Sequence, residues 1–175
     1  GGGEEAAHLA RSGRRERAVL ALHKTLKTQA KNMDTFQVLA NIEEAVNAGV
    51  PHPTYAAGKK PGAVLVNEVR EWRENVLELR RKAETRLRNC WSKDVAEQDL
   101  PELKDSIKDC KEAGVNHPTH LLLTAALPNP ADGAEAGENA PGRTFVKKAE
   151  EWDHKVTEMR REAEQEMREA WAKTM

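Results

Sequence analysis

Aromatic residues are scarce: the 175-residue chain has four Trp, two Phe and one Tyr. Its two cysteines, Cys90 and Cys110, are too few for a disulfide framework. They read as small apolar core residues. No apolar run approaches the roughly 18 residues of a membrane span, so none is expected. The formal net charge is only −1, which argues against a dedicated nucleic-acid binder with its uncompensated basic face. No Gly-rich phosphate loop, His-Glu-x-x-His or Gly-x-Ser-x-Gly occurs. Carboxylates show no pairing beyond what solubility explains. No catalytic residue, metal ligand or cofactor is therefore assigned, and the chain reads as a non-enzyme.

Ala, Leu, Glu, Lys and Arg are plentiful, and Val and Ile sparse, which favours long helices over sheets. A repeat organises them. Pro61 to Lys93 recurs as Pro141 to Lys173, offset by 80. Pro61-Gly62, Val66, Glu71-Trp72, Val76, Arg80-Arg81, Ala83-Glu84 and Trp91 match Pro141-Gly142, Val146, Glu151-Trp152, Val156, Arg160-Arg161, Ala163-Glu164 and Trp171. A second repeat has an offset of 65: Ala-Gly-Val-x-His-Pro-Thr at 48–54 and 113–119. Ala18 and Leu22 match Ala83 and Leu87 at the same offset, so the first helix reads as a degenerate earlier copy.

The periodicity predicts a helix over 4–31, a short helix over about 35–48, a long helix from Pro61, a short helix over 100–113 and a second long helix from Pro141. Asp34 or Thr35 and Asp99 are the expected N-caps, and Gly49 and Gly114 the stops. The long-helix seam runs Leu65, Val69, Trp72, Val76, Leu79, Ala83, Leu87, Cys90 in one copy. It runs Phe145, Ala149, Trp152, Val156, Met159, Ala163, Met167, Ala170 in the other, a coiled-coil-like stripe. The expected fold is all-α, an antiparallel helical bundle or repeat of alternating short and long helices. Residues 1–3 read as a tag remnant or fragment edge, 4–34 as the N-terminal helix, 35–93 as repeat 1 and 94–175 as repeat 2. Leu121 to Leu127 is expected to add a helical turn, followed by a flexible insertion at about 128–141.

His52 and His117, in matching turns, are expected to shape the loop, with Thr54 and Thr119 beside them. Trp72 and Trp152 are expected in the core. Trp91 and Trp171, near the helix ends, are the candidate partner-docking aromatics, with Arg80, Arg81 and Arg88 as candidate charged contacts. Residues 1–93 carry 17 Lys+Arg against 11 Asp+Glu, and residues 94–175 carry 11 against 18. That polarity offers an alternative reading, a nucleic-acid contact through residues 11–31 and 80–88.

A short helix ending in Gly-Val, a proline turn, then Val-Arg-Glu-Trp72-Arg-Glu-Asn-Val76 or Glu-Glu-Trp152-Asp-His-Lys-Val156 resembles the helical linker repeats of JARID-type histone lysine demethylases. The pattern is similar also to segments of ciliary and cytoskeletal scaffolds. The demethylase resemblance implies a spacer and partner-docking part of a larger multidomain, chromatin-associated protein, without its iron ligands or zinc-finger cysteines. It implies protein partners, an intracellular and by preference nuclear setting, and a monomer or helix-paired dimer.

Overall fold

In the computed structural model, which describes residues 2–128 and 139–174, the protein is an all-α helical bundle. Long and short helices alternate: α1 (Gly2–Leu26), α2 (Thr35–Asn47), α3 (Gly62–Cys90), α4 (Leu100–Ala113) and α5 (Pro141–Thr174). A 3₁₀ turn covers Ala30–Asn32, and a two-residue hairpin pairs β1 (Ala56–Ala57) with β2 (Lys60–Pro61). α1 stops at Leu26, five residues before the sequence expectation. The chain then gives its amides to the turn and to Met33, which is fully buried. The expected insertion lies mostly outside the described residues.

The expected caps form. Asp34 accepts from the Gln37 amide at 2.9 Å and Asp99 from the Glu102 amide at 3.1 Å. Gly49 and Gly114 close α2 and α4 at φ 85° and 90°, a backbone state that L side chains avoid.

The chain divides into two compact units, Gly1–Glu78 and Leu79–Met175, and the boundary falls inside α3. In the first unit, α1, α2 and the first half of α3 enclose a core of Ala18, Leu22, Met33, Val38, Ile42, Ala45, Val50, Leu65, Val69 and Val76. In the second, the end of α3, α4 and the first half of α5 enclose Ala83, Leu87, Trp91, Leu103, Ile107, Cys110, Phe145, Ala149, Trp152 and Val156. Neighbouring helices run antiparallel. Arg14 pairs with Glu44 near the end of α2, and in the second unit Arg80 bonds Ala113 while Cys90 reaches back to Ser106.

The same devices build each unit. Gly62 meets the Val50 carbonyl so closely that a Cβ would lie 1.9 Å from its oxygen, and Gly142 meets Val115 at the same 1.9 Å. No other residue fits there. Arg15 donates from Nε to the Ala48 carbonyl at 2.9 Å, and Arg80 to Ala113 at 3.0 Å, so each long helix caps the end of the short helix after it. Trp72 donates to the Thr28 carbonyl at 3.1 Å and Trp152 to Gln98 Oε1 at 2.8 Å, so each indole holds the connection between the unit's first two helices. Trp152 is buried as expected; Trp72 is half-buried, with its ring against the first core.

The seam departs from the expected stripe after Val76. Leu79 is exposed, and Arg80, Ala83, Glu84 and Leu87 turn inward. A straight helix repeats every 3.6 residues, so a 3.5-residue stripe drifts off the buried face. In α5 the buried set ends at Val156, and Met159, Ala163, Met167 and Ala170 are all exposed. The run Leu121 to Leu127 forms no helical turn. Its backbone polar groups bind side chains of α3 in place of a helical ladder.

Candidate functional site

Glu84 enters the interior as the seam turns, and a buried carboxylate needs donors. It finds three. Oε1 lies 2.8 Å from His120 Nε2, Oε2 accepts from Arg88 Nε at 2.7 Å, and the Leu123 amide donates to Oε2 at 2.9 Å. A carboxylate only accepts, so the His120 proton sits on Nε2. Burial by itself would raise the Glu84 pKa. The hydrogen bonds from His120, Arg88 and Leu123 outweigh it and hold the carboxyl below the usual range. Arg88 also donates to the Thr124 and Ala126 carbonyls and lies 4.7 Å over the Phe145 ring. The cluster thereby ties the connection after α4 to α3. It opens no path for a substrate: Glu84 is fully enclosed and His120 nearly so.

The five residues singled out in the sequence as partner contacts do not come together. Trp91 is 5% exposed and packs against Phe145 with ring centroids 5.8 Å apart. Arg80 is 0% exposed, its head group on the Ala113 carbonyl, and Arg88 is spent on the Glu84 cluster. These three are corrected to interior residues. The reason is the seam phase, which carries Arg80, Glu84 and Trp91 into the core once Leu79 leaves it. Arg81 stays exposed, beside a groove also lined by Arg86, Cys90 and Glu102. Trp171 is 66% exposed, on a helix end whose residues 161–174 are all exposed.

The basic residues behind the nucleic-acid alternative are largely engaged. Arg86 binds Glu102, Asp105 and Asp109, which drive its pKa up. Arg14 pairs with Glu44, and Arg15 caps α2. In the two His-Pro-Thr turns, Nδ1 of His52 and His117 accepts the Thr54 and Thr119 amides, at 3.2 Å in each case. The Thr hydroxyls lie 2.7 and 2.8 Å from the same nitrogens, so these histidines hold the turn. Burial raises the pKa of both thiols, Cys110 to about 12, which leaves little thiolate at neutral pH. Among the described residues no group of three or more His, Cys, Asp or Glu side chains could hold a metal ion, and no helix is long and apolar enough to cross a membrane.

The surface feature that remains is the second half of α5. Met167 is 63% exposed and lines one apolar strip with Trp171 and Ala172, edged by Glu164 and Arg168. The sequence repeat contained the signal for it, because Trp171 is the counterpart of Trp91. Comparison with protein families, with curated proteins and with solved structures found no match to this chain.

Proposed function

We propose that the chain is a non-catalytic helical spacer and protein-interaction module of a larger multidomain protein, of the kind that links domains in JARID-type histone demethylases and works in the nucleus. The observation that carries this reading is the pairing of a closed interior with an open helix end. The chain's buried titratable groups, Glu84, His120 and Arg80, are committed to holding helices and connections together. By contrast, Met167 and Trp171 stand in solvent on an ordered helix. Large apolar side chains held rigid and exposed are what protein interfaces use as anchors.

The spacer part of the proposal rests on length: the 29 residues of α3 run unbroken, about 43 Å at 1.5 Å per residue. Affinity capture from nuclear extract, with the wild-type chain beside a Met167→Ala/Trp171→Ala variant, tests the reading. A protein retained by the first and lost by the second supports it. Capture indifferent to the substitutions contradicts it. So does tight binding of duplex DNA or RNA that collapses between low and moderate salt, the behaviour of a basic nucleic-acid contact.

A further inference from the structure

The apolar face exposed on α5 occurs three times in the chain, and two copies are covered. Ala18, Leu22 and Leu26 of α1 pack in the first core, facing α2. Ala83, Leu87 and Trp91, 65 residues on, pack in the second core with α4. Ala163, Met167 and Trp171, a further 80 residues on, meet solvent. This exposure is more than an end effect. The first half of α1 is exposed as well, but there Glu4, Ala7 and Arg11 stand where α3 has Val69, Trp72 and Val76. One open helix end has lost the packing residues of its repeat, and the other has kept them. Leu79 is exposed in α3, so its counterpart Met159 belongs outside the face.

The covered copy shows what the open one would take. α4 brings Leu103, Ile107 and Cys110 to the face, spaced for one side of a helix. Along the edge it places Glu102, Asp105 and Asp109 against Arg86. On α5 the position of Arg86 is Glu166 and that of Lys82 is Glu162, with Glu169 one turn further. The charge on that edge is reversed. We propose that the second half of α5 is a docking face for a short basic amphipathic helix of a partner protein. That helix has aliphatic residues at the spacing of α4 and Lys or Arg where α4 carries acids. The proposal deepens the interaction-module reading and rests on it.

The probe is a labelled peptide of residues 98–114 with Glu102→Lys, Asp105→Lys and Asp109→Lys, titrated with the full chain at about 150 mM salt and read by fluorescence anisotropy. Saturable binding is expected, about ten-fold tighter than for the peptide of unaltered sequence. Met167→Ala/Trp171→Ala should weaken it by at least about ten-fold. Glu166→Arg should reverse the preference between the two peptides. All three changed positions are solvent-facing, and an unchanged helical circular dichroism spectrum with unchanged melting verifies the fold. Equal affinity for the two peptides overturns the proposal. So does binding that survives the double variant, or sedimentation showing two copies joined through Trp171. If the peptide fails while capture of a cellular protein still depends on Trp171, the basic-helix proposal falls and the module reading stands. If neither depends on Trp171, both fall.

Discussion

At positions 19 and 55 the first unit has Val19 and Tyr55; 65 residues on, the second has Glu84 and His120. Around this difference the two units keep the same parts. A glycine lies against a valine carbonyl, an arginine caps the short helix, an indole holds the first connection, and a His-Thr pair shapes the turn. The lesson is that what repeats is the backbone's requirement for close approach and satisfied ends, while the chemistry of the interior is free to change. In the first unit Arg15 lies 5.2 Å from the Tyr55 ring, and the turn after Gly49 closes through a short hairpin. In the second, the ionic cluster ties down the Leu121–Leu127 segment, where a longer connection leaves more backbone to satisfy.

Removing the charge that the first unit does without should produce the largest contrast. Glu84→Ala leaves two buried donors facing each other and should cost about 3–5 kcal/mol. Val19→Ala should cost about 1 kcal/mol. Hydrogen exchange under mild urea, which reads each unit's amides separately, checks the pair. Gly62→Ala and Gly142→Ala test the shared part. Each should cost about 3 kcal/mol in its own unit, since the added Cβ meets backbone and not a movable side chain. Unequal losses would break the equivalence of the two contacts.

The arginine caps are a graded version of the same comparison. Arg80→Ala leaves the buried Ala113 carbonyl without its donor and should cost about 2–3 kcal/mol, while Arg15, half-buried, should cost about 1 kcal/mol. Acid should separate the units more gently. Folding lowers the Glu84 pKa, so the unfolded chain binds more protons and stability rises with pH. The contribution is fully present above the ordinary carboxylate value of 4.5 and is lost as pH falls through the folded value. In urea melts at pH 7 and pH 3, Glu84→Gln should be less pH-sensitive than wild type, whereas Val19→Ala should match its pH dependence. Equal pH dependence of wild type and Glu84→Gln would remove the cluster from the account.

Much of this architecture was legible in the sequence. Asp34 and Asp99 as caps, Gly49 and Gly114 as stops, and the Trp72–Trp152 equivalence are local or repeated features, and pattern alone exposes them. Interior chemistry was less legible. Glu84 reads as a solvated helix residue because its match, Glu164, is one; its burial depends on His120 and Leu123, 36 and 39 residues away. The Pro-Gly pair at the start of each long helix was visible, but the carbonyl each glycine touches was not, since that contact depends on how the turn closes. Trp91 and Trp171 were read as equals. Sequence identity cannot distinguish them, because what covers Trp91 is α4, and no described element covers Trp171.

The claim that one repeated face is covered in the second unit and left open on α5 is tested most directly by acrylamide quenching of tryptophan fluorescence, in two variants that retain either Trp91 or Trp171 with the other three indoles replaced by phenylalanine. The account predicts a red-shifted, freely quenched Trp171 and a blue-shifted Trp91 that acrylamide barely reaches. A Trp171 as protected as Trp91 would contradict it.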